Sequence, residues 1–187
     1  MRSLLLLVVS SVLLTATAPA AERSAVGLTA LHAMERILQH EAPFGTPAAE
    51  IAAARNEVES FQVVVAARDQ NLRVTSVTLP ELVGEGGAKI PGDRIKLYRE
   101  EYVRVRLSTP RAELPPGLYP DALVPFIDPV TGKPIEPFSQ RRERWGEPLI
   151  TTGNDMYAVP FDVFAGQNQP LWIDVHVPKG VPAGVYR

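Results

Sequence analysis

Acidic pairs are the first residues in this chain whose types suit chemistry, because two carboxylates can divide acid and base work on a glycosidic bond. Glu100 and Glu101 are adjacent, so in a strand their side chains point to opposite faces and cannot flank one bond. Asp162 and Asp174 fall on the polar sides of two neighbouring predicted strands, where they can approach each other. Cross-strand charge pairing is the simpler interpretation, and we expect no catalytic residue among them.

Other catalytic and metal-binding patterns are missing from the sequence. The three histidines, His32, His40 and His176, lack the spacing that places two ligands on one helix face, and no acidic calcium loop occurs. There is no Gly-x-Ser-x-Gly elbow, and the glycines of residues 84–87 predict a hairpin turn rather than a phosphate cradle. The sequence therefore predicts no catalytic residue, no metal and no cofactor.

The polar side of one long predicted strand is a candidate binding surface. If no bulge intervenes, six residues share this face: Lys96, Tyr98, Glu100, Tyr102, Arg104 and Arg106. Aromatic rings beside charged groups can stack on a sugar while the polar groups bind its hydroxyls. A solvated face with salt bridges, or a face covered by another domain, is the simpler alternative.

The two tryptophans form a second candidate surface. Trp172 alternates onto the side of Asp174 and His176, away from the aliphatic residues of its strand, and Trp145 lies in a proline-rich stretch beside several arginines. An indole on a polar strand face most often packs beneath a loop or against a neighbouring domain. The residues that we predict for glycan or interdomain contact are Tyr98, Tyr102, Arg104, Trp145 and Trp172.

The elements that must position these residues are β-strands. Apolar residues alternate through residues 57–66, 73–79, 95–107, 157–163 and 171–177, with glycine and proline between the runs. Short alternating strands with little helix predict an all-β fold, a two-layer antiparallel β-sandwich. Residues 28–38 fit a helical spacing, whereas residues 29–34 also fit a first strand, and the family resemblance described below favours the strand.

The segment at about residues 110–148 differs from the rest, since it holds nine of the eighteen prolines. Proline cannot donate to a sheet ladder, so the segment is predicted to be a long connection, largely extended or turned. Connections of this length are usually functional or contact another domain, and a connection without any partner is the alternative.

The first twenty residues have the pattern of a secretory signal peptide. Arg2 precedes an apolar run over residues 4–14, and residues 18–20 offer a cleavage site. Residues 21–187 are then one exported domain, periplasmic or extracellular, without a stable membrane anchor; an uncleaved anchor is the alternative. Without cysteine the domain needs a core of its own, and the net charge of −2 argues against nucleic acid as a partner.

The end of the chain suggests a sheet that lacks a member. Residues 171–177 alternate as a strand, residues 178–184 are rich in proline and glycine, and residues 185–187 open a further strand. We therefore expect the sandwich to lack its last strand and the chain to be the front portion of a longer protein.

Several segments carry a family resemblance when taken in order: residues 53–57 with 60–65, 97–105, 117–126, and 168–178 with 182–186. Together they resemble the N-terminal β-sandwich of exported glycoside-hydrolase-like proteins related to glycoside hydrolase family 123. The resemblance implies that a (β/α) barrel follows, in which an acidic pair and the substrate's own acetamido group remove N-acetylhexosamine from glycans. Since that barrel is absent from this sequence, the resemblance assigns no catalytic residue here.

The function implied by the resemblance is that of a non-catalytic sandwich that supports or positions a missing barrel, its expected partner. A stand-alone carbohydrate-binding module, which would contact glycans through Tyr98, Tyr102 or a tryptophan, is the alternative from another class. An enzyme in its own right is a third, disfavoured by the missing catalytic patterns.

Overall fold

The computed structural model describes residues 25–111, 114–135, 143–144, 147–148 and 157–187. The predicted signal peptide and Trp145 lie outside these residues. The strands are β1 (Val26–His32), β2 (Val58–Ala67), β3 (Leu72–Val74), β4 (Leu82–Val83), β5 (Lys89–Ile90), β6 (Ile95–Val105), β7 (Gly117–Pro125), β8 (Glu143–Arg144), β9 (Glu147–Pro148), β10 (Phe161–Val163) and β11 (Asn168–His176). The described helical elements are two 3₁₀ turns, and none is long and apolar enough to cross a membrane.

Five strands form the main sheet in the order β1-β2-β11-β6-β7, and each neighbouring pair is antiparallel. Successive side chains of the central strand β11 point to opposite sides of this sheet. Leu171, Ile173 and Val175 are at most 3% exposed on one side, whereas Trp172 and Asp174 are partly exposed on the other. The side of each β11 residue is therefore the one that the sequence predicts.

Short strands form a second layer over the aliphatic side of the main sheet. β10 pairs with β3, β4 pairs with β5, and Phe161, Val163 and Ile90 pack in one core cluster with β11. Each aliphatic or aromatic side chain buried in this way stabilises the fold by about 1.5–3 kcal/mol. The prediction of an all-β, two-layer antiparallel sandwich is confirmed, although β3 is shorter than the predicted run because its partner β10 has three residues.

The first alternating segment is a strand, as the resemblance predicted. β1 pairs with β2 over its whole length, which buries Ala30 and Leu31. The chain then turns and crosses the opposite side of the main sheet, and we call residues 33–41 the strap. Ile37 of the strap is fully buried against Leu31 and Val64, so a small second core lies beneath it.

Part of the proline-rich stretch is a strand where the sequence predicted a connection. β7 pairs with β6 at the edge of the sheet, where Pro120 and Pro125 are tolerated because the outer side of an edge strand needs no ladder donors. The register shifts after Glu101 and passes over Asp121, so the extra residue lies in β7. Tyr102 therefore keeps the face of Tyr98 on β6.

The last residues of the chain join the second layer beside β4. The amide of Val83 donates to the carbonyl of Arg187 at 2.8 Å, and the amide of Arg187 donates back to Val83 at 3.0 Å. Gly84 allows the close approach of Tyr186, since a Cβ at position 84 would lie 2.8 Å from a ring carbon of that tyrosine. Residues 185–187, which were predicted to open a further strand, thus pair with β4.

Candidate binding face

The strap divides one side of the main sheet into two regions. We call the region beneath the strap the covered half; it includes Gln62, Glu100, Tyr102 and Asn168. The region further along the same strands is the open half; it includes Lys96, Tyr98, Trp172 and Asp174. The polar strand face predicted from the sequence therefore has two different environments.

Side chains from three different strands hold the strap in the covered half. The Gln62 amide of β2 donates to the carbonyl of Glu35 at 2.9 Å, with longer contacts to two preceding carbonyls. The Asn168 amide of β11 donates to the carbonyls of Leu38 and Glu41 at 3.0 and 2.7 Å. Such bonds satisfy strap carbonyls that have no strand partner, and so make an irregular segment compatible with burial.

Tyr102 belongs to the same set of contacts. Its hydroxyl donates to the carbonyl of Ile37 at 3.1 Å, and burial raises its pKa, helped by the nearby carboxylates of Glu100 and Glu41. A tyrosine committed to the strap cannot offer its ring to a ligand without displacing that segment. The structure thus places the Tyr102 hydroxyl in a contact with the strap, although the residue is partly exposed.

Glu100 is a buried carboxyl beneath the strap. Its side chain belongs to a residue 5% exposed, and its Oε1 atom has no hydrogen-bond partner among the described residues. Burial raises the pKa of Glu100 to about 7. Since a buried carboxylate without a partner is costly, the protonated form is favoured in the folded protein.

The open half brings together two of the predicted site residues. Trp172 and Tyr98 are directly opposite each other on β11 and β6, and both are partly exposed. The indole Nε1 of Trp172 donates to Asp174 Oδ1 at 2.7 Å, and Ser60 Oγ donates to the same oxygen at 2.6 Å. Burial raises the pKa of Tyr98, and the charge of Asp174 adds to the effect.

A shallow depression of about 190 Å³ continues the open half towards the end of the sheet. It is lined by Val58, Asp93, Arg94, Lys96, Asp174 and His176. Arg94 Nη1 and His176 Nδ1 are 3.5 Å apart at its rim. Lys96 and Asp174, which are directly opposite each other, lie between the aromatic pair and His176 on this face.

The remaining predicted site residues lie elsewhere. Arg104 is exposed near the far end of β6, four residues beyond Glu100 and away from the aromatic pair. Trp145 lies outside the described residues. Among the five residues predicted for contact, the structure therefore joins Tyr98 and Trp172, and separates them from Tyr102 and Arg104.

The acidic pairs have structural partners. Asp162 bonds Arg73 at 3.0 Å in the second layer, on the outer side of the sandwich, while Asp174 lies on the opposite outer side. The expectation that Asp162 and Asp174 approach each other is therefore wrong, because β10 and β11 belong to different sheets. Glu100 and Glu101 point to opposite faces, as predicted.

Sequence reasoning missed a buried arginine. Arg99 is 2% exposed on the core side of β6, where its guanidinium lies 5.6 Å from the Phe161 ring centre and 3.0 Å from Glu101. Burial lowers its pKa, although Glu101 acts in the opposite direction. The signal was available, because Arg99 and Glu101 share the face of the aliphatic residues of β6. Over the described ranges, no group of three His, Cys, Asp or Glu residues is arranged to hold a metal.

Comparisons with known proteins show a similarity of fold and no match in sequence. No family model matches the sequence, and no curated protein matches it. The structure is similar to a family 123 glycoside hydrolase from Clostridium perfringens, solved to study glycolipid glycan hydrolysis, with a TM-score of 0.61 and 11% sequence identity. The two share a fold. The likeness covers 87% of this chain and 23% of that enzyme, so the chain spans about a quarter of the enzyme's length.

Proposed function

We propose that this chain is the non-catalytic β-sandwich portion of an exported glycoside-hydrolase-like protein, where it supports or positions a (β/α) barrel that acts on glycans. The observation that carries the proposal is the asymmetry of the structural likeness. Nearly all of this chain, 87%, corresponds to 23% of a glycoside hydrolase. The sandwich is therefore matched as one part of a larger protein.

The chemistry of the described carboxylates supports this proposal. Glu101 is paired with Arg99, Asp162 with Arg73, and Asp174 is bound by Ser60 and Trp172. Glu100 is buried beneath the strap and lines neither the cavity of about 730 Å³ nor the depression of about 190 Å³. Acid–base work on a sugar requires two accessible carboxyls that flank the bond, and these four are each paired, bound or buried.

Turnover of a chromogenic N-acetylhexosaminide by the purified chain tests the proposal. We expect no release of chromophore above the buffer rate, with a family 123 glycoside hydrolase assayed in parallel as the positive control. Turnover that is retained through repurification and lost in Asp174→Asn would contradict a non-catalytic role.

The positioning role has its own test. We expect that residues 21–187, extended by whatever is encoded after Arg187, melt at a higher temperature than residues 21–187 alone, because an interdomain contact stabilises both partners. A cooperative transition at the same temperature in both proteins would count against this part of the proposal.

A further inference from the structure

The open half of the sheet combines partly exposed aromatic rings, a fixed carboxylate and a small polar depression. From this combination we infer that the open half is a binding site for an uncharged pyranose sugar, which stacks on Tyr98 and Trp172 and donates a hydroxyl to Asp174. This inference goes beyond the proposed positioning role and does not depend on it.

The aromatic pair provides the surface on which a sugar ring can stack. Residues directly opposite on antiparallel strands have Cβ atoms about 4.5–5.5 Å apart, so the side chains of Trp172 and Tyr98 adjoin. Both residues are partly exposed, so a ligand can approach them from the solvent. Rings with an apolar body and a polar edge suit a ligand that has an apolar C–H face and hydroxyls at its rim.

Asp174 provides a hydrogen-bond acceptor whose position is set in advance. Two donors, Trp172 Nε1 and Ser60 Oγ, bind Oδ1 at 2.7 and 2.6 Å. The second carboxylate oxygen, Oδ2, receives no donor among the described residues and can accept a hydroxyl. Because the carboxylate is already ordered, binding loses little side-chain entropy.

The charges of the adjoining depression select the class of sugar. Arg94 and Lys96 contribute two positive formal charges and Asp93 and Asp174 two negative ones, so the charges of these four side chains sum to zero. The depression, at about 190 Å³, is smaller than the roughly 300–1,000 Å³ of drug-sized sites, which restricts it to a single sugar residue. An uncharged sugar fits this balance better than an acidic one.

The same charges argue against a protein domain as the occupant. The centre of a protein–protein interface is depleted in charged residues, whereas four of the six residues lining the depression are fully charged. A covering domain would have to desolvate these groups. A sugar binds from the solvent side and leaves them hydrated, with its hydroxyls replacing some of their water.

Tryptophan fluorescence provides a direct test. The chain has two tryptophans, so Trp145→Phe leaves Trp172 as the single reporter at the proposed site. We would titrate this variant with glucose, galactose, N-acetylglucosamine and N-acetylgalactosamine, and with N-acetylneuraminic acid as the charged comparison. We expect a saturable change with at least one neutral sugar, and a Kd at least about tenfold higher for the charged sugar.

Two further variants, made in the Trp145→Phe background, locate the site. Tyr98→Ala and Lys96→Ala should each weaken binding of the same sugar, the first by at least about tenfold, the loss expected for an aromatic contact worth roughly 1.4 kcal/mol. Tyr119→Ala removes a tyrosine on β7 outside the open half and should leave the Kd unchanged. Lys96 is exposed, so its substitution keeps the test valid if Tyr98→Ala does not fold.

Three results would overturn the inference: no saturable change with any neutral sugar, equal binding by the Lys96→Ala variant, or tighter binding of N-acetylneuraminic acid. If a protein domain covers the open half instead of a sugar, we expect no saturable change with any neutral sugar. Each outcome can be separated from the proposed function, since sugar binding and turnover are measured independently.

Discussion

Glu100→Gln should stabilise the protein at alkaline pH and leave its stability in acid unchanged. Burial raises the pKa of Glu100 from 4.5 to about 7, and its Oε1 atom has no partner among the described residues. Each pKa unit corresponds to 1.36 kcal/mol, so this rise corresponds to about 3 kcal/mol between the protonation states. Glutamine has the same shape and no charge, and therefore removes this cost.

The sign of the effect follows from the direction of the pKa. The pKa of Glu100 is higher in the folded state than in the unfolded state, so folding is most favourable where the carboxyl is protonated in both, below the unfolded pKa of 4.5. This stability is lost as the pH rises through about 7. Above this range the carboxylate is charged in a buried position beside Tyr102. The wild-type chain should lose up to about 3 kcal/mol that Glu100→Gln keeps.

Urea denaturation at pH 4.5 and pH 8 measures the difference. The two proteins should have nearly equal free energies of unfolding at pH 4.5, and the variant should exceed wild type by about 2–3 kcal/mol at pH 8 with an unchanged m value. Glu85→Gln, at an exposed carboxyl in a 3₁₀ turn, is the matched control and should show no pH-dependent difference. An equal effect of Glu100→Gln at both pH values would refute the reasoning.

Three other changes test the packing. Ile173→Ala, at a residue 1% exposed, should lower the free energy of unfolding by about 2–5 kcal/mol in urea, whereas Val103→Ala, at 39% exposure, should cost less than about 1 kcal/mol; similar losses would contradict the assigned core. Gly45→Ala would place a Cβ 2.3 Å from a backbone oxygen at φ +112°, so it should lower Tm clearly more than Gly86→Ala, whose Cβ would meet no atom within 4 Å. Asn168→Ala removes two hydrogen bonds to the strap and should cost about 2 kcal/mol and speed limited proteolysis within the strap; unchanged proteolysis would count against the strap contacts.

The sequence predicts the sandwich because its strands are buried on one side. From residue 171 to residue 176 of β11, the odd-numbered residues are aliphatic and the even-numbered ones are not. The faces of Ile173 and Trp172 can therefore be assigned without a structure. β7 was not predicted because its prolines argue against a strand. They are acceptable only because β7 is at the edge of the sheet, a position that depends on the arrangement of all the strands.

The strap could not be predicted, because the helical spacing of residues 28–38 runs into it and indicates no segment that crosses the sheet. Its position is determined by Gln62 and Asn168, which are up to 130 residues away along the chain. The strap also distinguishes Tyr98 from Tyr102, which share a face of β6, because only Tyr102 donates a described hydrogen bond to the strap. The register between β6 and β11, which places Tyr98 opposite Trp172, is likewise a long-range property.

The central position of β11 has a consequence for how the chain acquires its structure. β1 with β2 and β6 with β7 are pairs of strands that can meet early, but both pairs border β11, which is the last strand along the chain. Sheets that depend on such distant contacts assemble slowly, because the loop between the partners must close first. A ribosome that has released only the first 160 residues has therefore produced two unjoined halves, and the chain stays open to chaperones and proteases until β11 inserts between them.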